Sequence, residues 1–153
     1  PIGGWLILVG LSLIVVPIRT LSEIAVAYSD LLLNGGWERL TVRASESFHP
    51  MWAPMLIADV TFAVAVSIAG YALFYLFVEK SHRFPKLYVA WLVISASIMV
   101  LSEVAMAVSI PAMATLDTNR ARELASALIA CAIWIPYMYK SKRVQQTFVR
   151  TAA

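Results

Sequence analysis

Long apolar stretches separated by short polar segments dominate the pattern of this chain. An α-helix needs about 20 mostly apolar residues to cross the roughly 30 Å hydrocarbon layer of a bilayer. Four stretches meet this requirement, at residues 4–33, 50–78, 85–111 and 119–139. The pattern predicts an all-α polytopic membrane protein: a four-transmembrane-helix bundle that forms a single transmembrane domain over residues 1–153, with a short basic C-terminal tail at 140–153.

Composition agrees with a membrane protein and leaves no room for a soluble catalytic module. Hydrophobic residues make up 61% of the chain and charged residues 14%, against about 45–50% and 25% in soluble domains. The net charge of +3 is small, so we interpret the basic residues as topology signals and expect no nucleic-acid partner. Cys131 is the only cysteine, which excludes an intramolecular disulfide and a cysteine metal cluster.

The basic residues are divided unevenly between the two sides of the membrane. An even number of spans places both termini on one side. That side carries seven basic residues: Lys80, Arg83, Lys86, Lys140, Lys142, Arg143 and Arg150. The other side carries four: Arg39, Arg43, Arg120 and Arg122. Because basic residues favour the cytoplasm, both termini are predicted to be cytoplasmic. The first loop, Asn34 to His49, is long enough for one amphipathic turn or a short interfacial helix.

Charged residues inside the apolar stretches are the main candidates for function. Glu23, Asp59 and Glu103 lie ten, nine and eight residues from the outer ends of their stretches. These spacings correspond to depths of roughly 12–15 Å. We predict an intramembrane polar cluster and candidate binding site, which would also contain Arg19, one turn from Glu23, and Arg122 from the fourth stretch.

Two interpretations of this cluster stay open. Each charge costs at least about 2.5–3.5 kcal/mol near the centre of a membrane helix, so it needs a partner or water. Arg19 with the three acids sums to −2, and balance would come from Arg122, a bound cation or a proton. Alternatively, these residues hold the helices together, although polar contacts between membrane helices contribute only about 0.6 kcal/mol on average.

Signals for other chemistry are weak. His49 and His82 lie on opposite sides in the predicted topology and could not share a metal ion. The sequence contains no grouping of Ser, His and Asp, no phosphate-binding glycine loop and no metal-ligand spacing. We therefore predict no catalytic residues, no metal and no cofactor.

The fourth stretch ends in aromatic and basic residues typical of a membrane interface. Trp134, Tyr137, Lys140, Lys142 and Arg143 are predicted to anchor the chain in the lipid bilayer, with the basic groups on anionic lipid headgroups at the cytoplasmic face. Beyond them, the apolar Val144, Phe148 and Val149 are predicted to lie on the membrane surface.

Two segments resemble a known family. They are the opening GGWLILVG with the following Pro17-Ile18-Arg19, and the C-terminal series IWIPY (133–137), SKRV (141–144) and TFV (147–149). Together they resemble domain of unknown function 2569, an uncharacterised family of bacterial membrane proteins. The resemblance implies a four-span protein of the bacterial inner membrane and implies no activity.

Our leading functional hypothesis is binding or transport of a small cation, proton or polar solute through a polar intramembrane cavity. The alternative is a non-transporting accessory or scaffold subunit that recognises a protein partner or lipid. The sequence leaves a homo-oligomer open.

Overall fold

The regular structure of this protein is helical. The structure, a computed structural model, describes residues 4–109 and 118–149, with the side chain of Asp30 left out. The helices in chain order are α1 (Trp5–Leu33), α2 (Gly36–Thr41), α3 (Trp52–Val78), α4 (Phe84–Ser109), α5 (Thr118–Lys140) and α6 (Lys142–Thr147). The described residues contain no β-strand.

Four of these helices are long and apolar enough to cross a membrane: α1, α3, α4 and α5. Many of their large apolar side chains are exposed on the isolated chain, among them Ile7, Ile57, Leu101 and Ile129. Such surfaces are stable against lipid, which is as apolar as the side chains themselves. The predicted all-α, four-span membrane protein is therefore confirmed.

The first loop contains the short helix α2. Gly35 precedes it in the left-handed conformation, with φ of 66°, which glycine adopts without a steric cost. The hydroxyl of Thr41 donates to the carbonyl of Trp37 at 2.7 Å. The N–H of Val42 closes the helix on the carbonyl of Glu38 at 3.0 Å. Of the two forms expected for this loop, a single turn or a short helix, the structure has the short helix.

The chain divides into two compact units. One unit, Leu11–Tyr71, contains most of α1, all of α2 and most of α3. Within it, α1 continues through Pro17 without interruption, although proline lacks the N–H of a regular helical bond. The other unit contains the start of α1 as far as Gly10, the end of α3 from Ala72, and the described chain that follows.

The second of these units contains four aromatic rings in mutual contact, which we call the aromatic cluster: Phe77, Phe84, Tyr88 and Phe148. The ring centroids of Phe84 and Phe148 are 4.7 Å apart, and those of Phe77 and Phe84 are 5.3 Å apart. Tyr88 stacks on Phe84 at 5.5 Å. All four residues are buried. Aromatic pairs at these distances contribute about 0.5–1.5 kcal/mol beyond the burial of their area.

The start of α1 approaches this cluster closely at Gly10. A Cβ atom built at Gly10 would lie 2.8 Å from Cε1 of Phe77, a separation that real Cβ atoms do not adopt. Because glycine has no Cβ atom, α1 can approach the Phe77 ring closely at this position. Leu6, one turn earlier, and Val9, the preceding residue, are fully buried.

The connection between α3 and α4 is held by buried groups. The N–H of Ser81 donates to the carbonyl of Leu76 at 3.0 Å, and the N–H of Phe84 donates to the carbonyl of Ser81 at 3.0 Å. Ser81 is buried and Phe84 is fully buried. Lys80, with φ of 54°, makes the tight reversal that this connection needs. The short connection is therefore fixed at both ends.

The C-terminal helix α6 packs into the protein. Val144 and Phe148 are buried, whereas Val149 is 66% exposed. The prediction that these three residues lie on the membrane surface is wrong for Val144 and Phe148. Their spacing of four residues places both on one helical face, and that spacing suits a protein surface as well as a lipid surface. The aromatic cluster supplies the protein surface, because Phe148 is one of its four rings.

We predict that Phe148→Ala lowers the free energy of unfolding by about 3 kcal/mol, because it removes a buried ring and leaves a cavity. The measurement is reversible unfolding of the purified protein in mixed micelles. Val149→Ala is the matched control, since that side chain is exposed, and it should change the stability little. Equal effects of the two changes would contradict the packing of α6 described above.

Candidate functional site

Arg19 and Glu23 form an ion pair at the middle of the longest helix. Arg19 lies fourteen residues from either end of α1, and its Nε is 2.7 Å from Oε1 of Glu23. The two residues are four apart, which places them on the same face of the helix. Their side chains are 64% and 55% exposed on the isolated chain. The pair forms within one helix and lies on an open face of the isolated chain.

Asp59 has a different kind of partner. The hydroxyl of Tyr28 in α1 lies 3.4 Å from Oδ2 of Asp59 and 2.8 Å from the carbonyl oxygen of Leu56, one turn earlier in α3. A phenol has one proton to donate, so the hydroxyl can serve either acceptor. Tyr28 was not among the predicted site residues. A tyrosine within an apolar stretch is a usable signal, because its hydroxyl needs a hydrogen-bond partner when it leaves water.

Glu103 in α4 pairs with a residue at the start of α5. Its Oε2 lies 3.7 Å from Nη1 of Arg120. The glutamate side chain is 28% exposed and the arginine side chain 44% exposed. Arg122, two residues further along, was the basic residue expected to compensate the acids, with a bound cation or a proton as the alternatives. Two residues correspond to about 200° around a helix, so the two arginines project in nearly opposite directions.

The described charges are therefore grouped in local sets: Arg19 with Glu23, Tyr28 with Asp59, and Glu103 with Arg120. Together these sets contain two arginines and three carboxylates, so their summed charge is −1 if all five groups are ionised. Within residues 4–109 and 118–149, Asp59 is the member of this set that has no basic side chain at ion-pair distance. The convergence of all five predicted residues on one site stays a prediction.

Metal-binding groups are not assembled in the described part of the chain. No three side chains of His, Cys, Asp or Glu lie close enough there to hold a metal ion. His49 uses its Nδ1 to accept the N–H of Met51 at 3.3 Å, as a local cap before α3. Cys131 directs its thiol at the carbonyl of Leu92, with sulfur and oxygen 3.8 Å apart.

Several predicted anchoring residues make contacts within the protein. The Trp134 ring lies edge-on to Trp5, with centroids 6.2 Å apart, and edge-on to Tyr137 at 5.8 Å. The Arg143 guanidinium covers Gly4, where a Cβ atom would lie 2.6 Å from Nη1. Lys140 and Lys142, by contrast, are exposed. The role of all five residues in lipid anchoring stays a prediction.

The fold and these intramembrane charges define a multi-pass α-helical membrane protein. The family model described as "Protein of unknown function (DUF2569)" matches residues 1–149. The chain belongs to this family, as its two terminal segments suggested. No match is found among curated proteins or among solved structures.

We predict a coupling free energy of about 0.5–1.5 kcal/mol between Glu103 and Arg120, the range typical of polar contacts between membrane helices. A double-mutant cycle with Glu103→Gln and Arg120→Gln, measured by unfolding in mixed micelles, gives this value. Arg122→Gln is the matched control, because it removes the same charge from the same helix turn. A coupling of Glu103 with Arg122 as large as that with Arg120 would contradict the observed pairing.

Proposed function

We propose that this protein binds a proton or a small monovalent cation inside the membrane for transport. The group that binds the ion is the carboxylate of Asp59. The observation that supports this is the pairing of the acids. Glu23 and Glu103 each have an arginine, whereas the described partner of Asp59 is the neutral hydroxyl of Tyr28.

The position of Asp59 makes its charge costly. It lies seven residues after the start of α3, or about 10 Å along the helix. An ionised carboxylate at such a depth requires a partner or water. A proton or a monovalent cation supplies the missing positive charge. A single carboxylate suits a proton or a monovalent cation better than it suits zinc or calcium, because each of those metals is coordinated by several protein groups at once.

Tyr28 provides a way to follow the state of the carboxylate. Its hydroxyl is 2.8 Å from the Leu56 carbonyl oxygen and 3.4 Å from the carboxylate. The shorter bond satisfies the hydroxyl when Asp59 is neutral or occupied by a cation. A small rotation toward Oδ2 stabilises the ionised form, because hydrogen bonds to charged acceptors are the stronger ones. The two acceptors therefore suit a site that is alternately empty and filled.

The proposed setting is the bacterial inner membrane, with both termini in the cytoplasm. The excess of basic residues on the side of the termini supports this orientation. Binding at Asp59 would then take place in the outer half of the membrane, and transport would require the ligand to continue past the level of Arg19.

A second function is favoured by the Arg19–Glu23 pair. Both side chains are more than half exposed at the midpoint of α1, where exposure to hydrocarbon is costly. A polar surface contributed by a second membrane segment would cover the pair. The protein would then act as an accessory subunit that recognises another membrane protein or a second copy of itself.

We predict that Asp59→Asn abolishes the movement of protons or sodium ions across the membrane while the protein stays folded. Purified protein is placed in liposomes that contain a pH-sensitive or a sodium-sensitive dye, and a gradient of the ion is imposed. The wild type should dissipate one of these gradients faster than empty liposomes, and Asp59→Asn should not. Tyr28→Phe should have a smaller effect, because it leaves the carboxylate in place.

The matched control is the double change Glu103→Gln with Arg120→Gln, which removes an acid without altering the net charge. It should retain ion movement. If the Asp59→Asn protein dissipates the gradient as fast as the wild type, Asp59 is not the residue that binds the ion. If the wild type dissipates no gradient and Asp59→Asn alters stability alone, the accessory function is supported instead.

The proposed orientation predicts which positions react with an impermeant thiol reagent in intact cells. In a Cys131→Ser background, Ser47→Cys should be labelled from outside, whereas His82→Cys and Val149→Cys should not. All three positions are exposed, so differences in labelling report the side of the membrane. Buried neighbours such as Ser81 and Thr147 would be protected on either side. Labelling of His82→Cys from outside would reverse the topology.

A further inference from the structure

A small basic groove lies at the connection between α3 and α4. It is lined by His82, Arg83, Lys86 and Leu87 and has a volume of about 330 Å³. We propose that this groove binds the phosphate of an anionic lipid headgroup. The proposal is independent of the ligand proposed for Asp59.

The location of the groove suits a lipid phosphate. The membrane-spanning helix α3 ends at Val78, and α4 begins at Phe84. The groove therefore lies at the level where the chain leaves the hydrocarbon. Leu87 is 45% exposed in the first turn of α4. It begins the apolar surface along which an acyl chain would continue. A free phosphate compound has no acyl chain that could contact this apolar surface.

The charges in the groove match the ligand. Arg83 directly precedes α4 and Lys86 lies in its first turn, and both side chains line the groove. Arginine binds two phosphate oxygens through its planar guanidinium, and lysine adds a compact positive charge. His82 lines the same groove, whereas Glu79, the acid of this connection, does not.

The backbone that carries these side chains is fixed before any ligand arrives. Phe84, which directly follows Arg83, belongs to the aromatic cluster and is fully buried. Ser81, on the other side, is buried and accepts the N–H of Arg83 on its Oγ at 3.4 Å. A fixed backbone reduces the entropy that is lost when a ligand binds. The backbone at the groove is thus already fixed, unlike that of a flexible basic loop that attracts lipids only through its charge.

The test measures how tightly phosphatidylglycerol binds to the purified full chain in neutral detergent, with adducts counted by native mass spectrometry. The double variant Arg83→Ala with Lys86→Ala should weaken the first adduct about 30-fold, the effect expected from two basic residues at a lipid headgroup. Arg39→Ala with Arg43→Ala is the matched control, since it also removes two exposed basic charges and neither residue lines the groove. The control should change the affinity by less than about threefold, because charges outside the groove act through screened solvent.

The single variant Lys86→Glu gives a second reading with one exposed side chain changed. It should also weaken the adduct, and an unchanged unfolding temperature would show that the fold is intact. Equal weakening by the groove variant and the Arg39/Arg43 variant would mean diffuse surface attraction, and the proposal would be wrong. Millimolar glycerol 3-phosphate or inorganic phosphate should not displace the lipid. If either one does, the ligand is a soluble phosphate compound, and the assignment to lipid fails.

Discussion

The inability of hydrocarbon to solvate charge is the constraint on which this structure depends. A charged side chain in a membrane helix must carry its own partner or reach water. Arg19 and Glu23 meet this requirement one turn apart on α1, and Glu103 meets it with Arg120 of the next helix. Pairs formed so locally lower the cost of insertion before distant helices have met. Asp59 differs from both, because a neutral phenol is its described partner.

Packing between the helices follows a different rule from packing in water. In a bilayer, lipid tails are as apolar as leucine, so helices associate through van der Waals contact and close approach. In the unit that contains the aromatic cluster, fully buried side chains are concentrated where the chain leaves the membrane, around Phe84, Tyr88 and Val144. There the hydrophobic effect acts again, because water is nearby. That end of the unit therefore gains the stability that the lipid-facing surfaces of α4 and α5 cannot supply.

The sequence was sufficient for the features that hydropathy and spacing determine. Four spans follow from four apolar stretches, and the pairing of Arg19 with Glu23 follows from a spacing of four. The sequence could not distinguish Arg120 from Arg122, because that choice depends on which face of α5 meets α4. Hydropathy does not encode the face when lipid and protein surfaces are equally apolar.

The other differences have a similar physical origin. Tyr28 was overlooked because a tyrosine in an apolar stretch resembles any other large apolar residue until its hydroxyl finds an acceptor. Val144 and Phe148 have the spacing of an amphipathic helix, and the sequence cannot say whether its apolar face meets lipid or protein. In both cases the missing information was the position of a neighbour distant in sequence.

The aromatic cluster also has a consequence for how the protein is made. Phe148 completes a set of rings whose other members lie at the end of α3 and the start of α4, and Trp5 meets Trp134. These partners are far apart in sequence, and contacts of this kind form late in folding because long loops must close first. During synthesis, α1, α3 and α4 enter the bilayer before residue 148 has left the ribosome. The nascent protein must therefore wait in the membrane with Phe77 and Phe84 uncovered, and in that interval an insertase or chaperone would find them accessible.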